Sequence, residues 1–483
     1  MNAGVALGIV AAIVFGTIAF ALVSVRRFRM DPEEFIVGNR SFGSLLLWIL
    51  LAGEIITSFT FLGAAGWAYG KGAASFYIIV YLPLGYIIAY FYLPKVWKIG
   101  KARDLMTWPD FLAIRYGSKG LAIGVALLQF CLIVPYVTLQ LTGLQIVLTI
   151  AGYGRYDAHV AVGAAFLLTA LFVFTAGLRG AAWASVIKDS LVLAAAVFAG
   201  IALPIYFFGS PANMIAHVLA IKPHWFQLGA GGSQYGTMWF MTTVLLNAMG
   251  VTMFPNIIVS IFAAKSEQTV RRNLIFMPLY SVVVVFMLLA GFTAMLVVPG
   301  LQGSAADQSY LLAIQRYFPP WLLGLVCGAG CLAALLPASV LLLSASTVIS
   351  KNVLGHTRWT RPMVLLCAIL ALVLWFFAKT TLVDILLLVY NGMSQIFPAV
   401  VFGLVWNRVN AWAVGAGIIT GEAVAVSLLH ATSGPWGVNT GLCALCVNVV
   451  VCVLIALCSP QPATVAVGQP GIAPFQRRNM SSP

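Results

Sequence analysis

The stretch AGEIITSFTFLGAAGWAYGKG, Ala52 to Gly72, holds a carboxylate, three Ser/Thr hydroxyls and five glycines in a run otherwise apolar enough to lie in lipid. A carboxylate costs too much to face hydrocarbon, so Glu54 must meet a proton, a cation or a polar partner inside a bundle. Glycines and hydroxyls loosen a membrane helix and let its backbone turn toward an internal cavity. The residues around this segment decide whether it is a flawed span or a site.

The chain is 62% hydrophobic and only 8% charged, far below the quarter or so of charged residues in soluble domains. It reads as an all-α polytopic membrane protein. Spans need roughly 20 apolar residues, and the runs between charged or Gly/Pro-rich breaks give about thirteen. They lie near 4–24, 43–69, 74–94, 120–151, 159–177, 181–208, 237–264, 274–299, 320–350, 362–378, 381–407, 411–430 and 438–458. The first run lacks the basic flank and cleavage site of a signal peptide.

The formal charge of +14 is not a nucleic-acid signature, because the basic residues alternate by loop. One side carries clusters such as Arg26, Arg27 and Arg29, then Lys95, Lys98, Lys101 and Arg103, then Lys265, Arg271 and Arg272, with Arg477 and Arg478 in the tail. The other carries Lys71, Arg155, Lys222, Arg316 and Lys379. The positive-inside rule makes the crowded side cytoplasmic. The expected placement is the cytoplasmic membrane, N-terminus outside and C-terminus inside. The eight cysteines lie in or beside apolar runs, and the CxxC of Cys443 and Cys446 reads as packing. A Pro- and Gly-rich tail after Pro460 is expected to be disordered.

A second interrupted span, MTTVLLNAMGVTMFPNIIVSIFAAKS, has Gly250 and Pro255 near its middle and starts five helices after the first. Paired broken helices in corresponding positions point to an inverted-repeat transporter with its site at the breaks; alternatively, glycine and proline are simply common in membrane helices. A third break is expected at Pro337, which frees a backbone carbonyl.

The segments TSFTFLGAAGWAYGKG (57–72), GLRGAAWASVIKDSL (177–191), FPNIIVSIFAAKSEQTVRRN (254–273), SASTVISKNVLG (344–355) and FPAVVFGLVWNRVNAWAVGAGIITG (397–421) resemble the solute:sodium symporter family in their order and spacing. AGEI..SFTFLG together with VPYVTLQLTGLQ (134–145) is similar to the bacterial monocarboxylate permease branch. The resemblance implies a LeuT-type five-plus-five inverted repeat with one extra N-terminal helix and two extra C-terminal helices. The units would be 1–42, 43–236, 237–410, 411–458 and a tail at 459–483.

It also implies a sodium site made by carbonyls of Gly53, Ile56 and Ala333 with two hydroxyls on the ninth helix. Those two positions hold Leu336 and Pro337 here, which cannot ligate a hard cation; a one-turn shift would bring in Ser339. Where relatives often read WTDVIQ, this chain has WASVIK, placing Lys188 mid-span beside Asp189. Lys188 is therefore expected to stand in for sodium and load a proton, exchanging it with Glu54 or Asp189. The alternative is a lysine snorkelling to the interface with Asp189 as its surface partner.

Solute-site candidates are Thr57 and Thr60, Tyr136 and Gln140 on one helix face, Met253 and Asn256 flanking Pro255, and Asn391 and Gln395. The expected function is a secondary symporter for a small organic solute, a monocarboxylate such as pyruvate, lactate or acetate, coupled to a proton or sodium. Rival readings are a sodium symporter for an amino acid or pantothenate, and a transporter-like sensor. No cofactor, nucleic acid or obligatory protein partner is expected, and no constellation of catalytic side chains suggests an enzyme. Asp384, Glu422 and His430 are given no role.

Overall fold

A computed structural model describes residues 2–459 apart from 156, 378–380, 430 and 432. Lys379, His430 and the tail from residue 460 onward lie outside the described residues. Among the described residues the architecture is entirely helical, with one isolated parallel bridge between Phe42 and Ala264. Nine helices among the described residues are long and apolar enough to cross a membrane, ten if the bent pair Thr237–Met253 and Pro255–Phe262 is one span. The expected count of about thirteen separates runs that these long helices join: Ala158–Phe208 contains both 159–177 and 181–208, and Phe59–Ala102 joins the end of 43–69 to 74–94, while Ser44–Ile55 and Ala411–Ser427 are shorter apolar helices.

Local chemistry explains the joints. Helix Ala158–Val197 is fractured at Gly177, where φ is 56° and ψ −157°. An added Cβ there would come within 2.7 Å of the Phe35 carbonyl oxygen, so both the left-handed backbone and the close approach demand glycine. The helix then resumes with Arg179, Ser185, Lys188 and Asp189 on its buried side.

At the centre stands Pro320–Val348, with 94% of its most apolar stretch buried, packed against Asn2–Val25, Lys119–Ala151 and Ala158–Val197. The break expected at Pro337 is absent: the helix runs through it. Proline withholds one hydrogen bond from the carbonyl four residues back, that of Ala333, and packing on three sides holds the remainder in line. The Ser339 hydroxyl donates to the Leu336 carbonyl at 2.6 Å, so it is occupied within its own helix.

The two other expected breaks are present. Helix Ser44–Ile55 ends at Ile56 with φ −80° and ψ 87°, a wide five-residue turn spans Phe59–Gly63, and the helix continues as Ala64–Lys71. Thr237–Met253 bends by 51° into Pro255–Phe262, with Phe254 extended at the joint. The helices flanking these breaks, Ser44–Ile55 and Pro255–Phe262, pack on each other.

Both faces of the bundle are tied across. On the arginine-rich face the Phe42 amide donates to the Ala263 carbonyl at 2.9 Å and the Lys265 amide to the Phe42 carbonyl at 3.0 Å. Buried Arg179 pairs with Glu34 and donates to the Gly38 carbonyl (3.0 Å) and the Ser41 hydroxyl (2.6 Å). On the opposite face the Ala73 amide donates to the Trp225 carbonyl at 3.0 Å, the Tyr69 hydroxyl to the Val298 carbonyl at 2.8 Å, and the Leu382 amide to Asp307 Oδ2 at 3.1 Å.

Candidate functional site

The break in the first interrupted span separates two environments. On one side, Lys188 reaches across from its helix and donates through Nζ to the Gly53 carbonyl at 2.6 Å and the Ile56 carbonyl at 3.3 Å. These are carbonyls that a helix would normally use internally and that the break leaves free. The ammonium lies 3.1 Å from Asp189 Oδ1, although neither Asp189 oxygen accepts a well-formed hydrogen bond among the described residues. Lys188 is wholly buried, so the snorkelling alternative does not describe it. The fit around Gly53 is tight: a Cβ there would meet Ser185 Oγ at 2.7 Å and Lys188 Nζ at 3.2 Å.

On the other side of the break, Glu54 Oε2 accepts from Asn256 Nδ2 at 2.7 Å, which links the two broken spans. Glu54 and Asn256 line a small cleft with Phe59, Tyr81, Tyr136, Phe254, Leu386 and Tyr390. The rings interlock edge to face: Tyr136 with Phe254 (5.5 Å), Phe254 with Tyr390 (5.0 Å) and Tyr390 with Tyr81 (5.6 Å). Such pairs add about 0.5–1.5 kcal/mol each beyond their buried area, so the walls are firm. The space left is only about 20 Å³, room for roughly one water. An organic solute therefore enters only if these walls part.

The other expected site residues divide into those that shape the break and those that sit elsewhere. Gln140 Oε1 accepts from the Ser58 amide at 3.1 Å, the Thr57 hydroxyl accepts from the Phe59 amide at 3.2 Å, and the Thr60 hydroxyl donates to the Ile55 carbonyl at 2.7 Å. All three satisfy backbone freed by the unwinding. Met253 is fully buried outside the cleft lining, and its carbonyl accepts from Gln129 Nε2 at 2.9 Å. Asn391 and Gln395 turn toward helix Thr440–Cys458. Asn391 donates to the Thr440 hydroxyl at 3.1 Å, and Gln395 donates to the Gly441 carbonyl at 3.3 Å while accepting from Asn448 at 3.1 Å.

Sequence reasoning missed Tyr81, Phe254 and Tyr390, the aromatic walls. Their signal was weak, because an aromatic residue in an apolar helix reads as ordinary packing. It also missed the ties that hold the second break: Trp108 Nε1 donates to the Thr252 carbonyl at 3.0 Å, and Tyr92 bonds the Thr252 hydroxyl.

Three buried polar atoms have no partner among the described residues: Asn256 Oδ1, on a residue that lines the cleft, and Gln140 Nε2 and Ser58 Oγ, on residues bonded to each other at the break. Unsatisfied buried polar atoms are costly, and a bound polar solute would relieve that cost. The ammonium pocket, by contrast, does not fit a sodium ion in the same place. Two of its expected oxygens already hold Lys188, and Leu336 and Pro337 offer no side-chain oxygen.

Comparisons with known proteins place this arrangement. The profile of the sodium:solute symporter family matches residues 35–421. The chain is 36% identical to the uncharacterized symporter YhjB of Bacillus subtilis (strain 168), across 95% of this chain and 98% of that one. It is 29% identical to the monocarboxylate transport permease protein of Rhizobium johnstonii, across 90% and 92%. In fold it is similar to a substrate-bound, outward-open Na+-coupled sialic acid symporter, with a TM-score of 0.76 at 17% identity over 95% of this chain and 98% of that one. The chain is thus a secondary active transporter rather than an enzyme, and it belongs to the sodium:solute symporter family.

Proposed function

We propose that this protein carries a small monocarboxylate, of the size of pyruvate, lactate or acetate, into the cell by proton-coupled symport, with Lys188 in the place of a sodium ion. The observation that carries the reading is the 2.6 Å bond from Lys188 Nζ to the Gly53 carbonyl. The charged ammonium clamps the unwound backbone of the first broken span to the helix that carries Lys188, as a bound cation would. Loss of its proton removes both the charge and a donor, so the Gly53 and Ile56 carbonyls part from that helix and the break can open. Asp189, 3.1 Å away, stabilises the charged form and is the nearest group to receive the proton.

The monocarboxylate class is supported by the likeness to the Rhizobium permease and by the small size of the cleft. Alternating access would proceed by releasing the ties of one face while those of the other hold. The arginine-rich face would be the cytoplasmic one.

The test is uptake of labelled pyruvate into proteoliposomes with sodium and proton gradients imposed separately. Accumulation under the proton gradient alone is expected. Lys188→Gln should abolish that accumulation, because the amide keeps length and polarity but cannot carry the charge. Accumulation driven only by sodium, or full proton-driven accumulation by Lys188→Gln, would overturn the assignment of Lys188.

A further inference from the structure

On the arginine-rich face, a groove of about 640 Å³ opens between helix Ser44–Ile55 and the amphipathic helix Glu267–Phe276. Its outer walls are apolar and unpartnered: Leu45 is 70% exposed, Phe276 54% and Leu279 60%. Its polar lining is incomplete. Asn273 donates to the Ser44 carbonyl (3.2 Å) and the Thr269 carbonyl (2.9 Å), but its Oδ1 is buried with no partner among the described residues. The Trp48 indole N–H is likewise buried and unpartnered, its ring held against Tyr280 at 4.5 Å.

Two adjacent arginines behave differently. Arg271 pairs with Glu267 at 2.8 Å, whereas Arg272, which lines the groove, forms no ion pair among the described residues. A guanidinium beside an unpaired N–H donor at the mouth of an apolar groove has the chemistry of a phosphate site with a greasy extension.

We propose that this groove binds one anionic glycerophospholipid. Its phosphate would be held by Arg272 and the Trp48 N–H, its glycerol hydroxyls would reach Asn273 Oδ1, and one acyl chain would lie along Leu45, Phe276 and Leu279. The apolar walls select a lipid over a free phosphate. Because one wall is helix Ser44–Ile55, whose last turn carries Gly53 and Glu54, occupancy of the groove would bear on the first break. The proposal rests on the groove alone and holds whichever ion drives transport.

The full chain, reconstituted in nanodiscs of phosphatidylcholine with or without phosphatidylglycerol, tests it through native mass spectrometry of retained lipid. One retained phosphatidylglycerol is expected. Arg272→Gln should lower that occupancy by about tenfold, the scale of one lost charge-assisted contact, while Arg271→Gln should leave it unchanged. Trp48→Phe keeps the ring and removes the N–H, giving an independent reading should Arg272→Gln fail to fold. Equal retention of phosphatidylcholine, equal loss from both arginine variants, or displacement by inorganic phosphate would each overturn the proposal.

Discussion

Gly53 and Glu54 are neighbours in sequence and stand on the borders of two opposite environments. On the Gly53 side the pocket is filled: two carbonyls take one ammonium, and there is no space for even a methyl group beside Ser185. On the Glu54 side the cleft is walled by rings and includes Asn256, whose Oδ1 has no partner among the described residues. The first region carries its own cation in covalent form; the second is left to be completed by something that arrives. A transporter needs both. In the proposed cycle, a lock that is always supplied would make the gate respond to charge, while a vacancy would make it respond to solute.

This contrast can be broken most severely from the filled side. Gly53→Ala places a methyl 2.7 Å from Ser185 Oγ and 3.2 Å from Lys188 Nζ. Overpacking of that kind costs about 1–3 kcal/mol, so solute uptake should fall by roughly ten- to a hundredfold. Ser185→Gly in the same chain, by removing the nearest atom, should restore part of it. Equal activity of Gly53→Ala and the parent in a proteoliposome assay would mean that the pocket is not the clamp described here.

The vacant side should be more forgiving of shape and less so of chemistry. Glu54→Gln keeps the size and a hydrogen-bonding partner for Asn256, so the protein should fold with little change in Tm. Solute uptake should nevertheless drop by about tenfold, because a group that touches the cleft has lost its carboxyl. A Tm loss without a transport defect would recast Glu54 as packing.

The smallest effect is expected away from both regions. Asp307, on the loop face, is buried, accepts from the Leu382 amide at 3.1 Å, and lies near Asp384; burial pushes its carboxyl up to about 7. A raised value means that the folded form holds its proton more tightly than the unfolded chain. Its contribution is therefore intact below the ordinary carboxylate range, near 4, and is lost as pH climbs through about 7. Asp307→Asn should accordingly raise Tm by a few degrees at pH 8 and by clearly less at pH 5. A pH-independent shift would show that the carboxyl is charged throughout.

The sequence exposed the membrane class, the two interrupted spans and the anomaly of Lys188, because each is a local statement of composition: apolar length, breakers in a helix, a charge where none belongs. It did not expose which neighbour a helix face meets. Asn391 and Gln395 share a face as the spacing requires, yet that face turns to Asn448 and Thr440 and not to the cleft. Tyr81 and Tyr390 wall the cleft from helices far apart in the chain, and nothing local distinguishes them from other buried tyrosines. Pro337 was legible as a lost hydrogen bond but not as a straight helix, since the packing that keeps it straight comes from three other segments.

The fracture at Gly177 has a mechanical reading. Two residues beyond it stands Arg179, which ties down the arginine-rich face, and nine residues further along the same uninterrupted helix stands Lys188. A left-handed joint at one end and a rigid rod beyond it make a crank whose handle carries both fastenings. A turn about Gly177 would strain the Arg179 contacts and the Lys188 clamp together. Release of the face and release of the ammonium would then share one barrier, and a probe placed on either would relax with the same time constant.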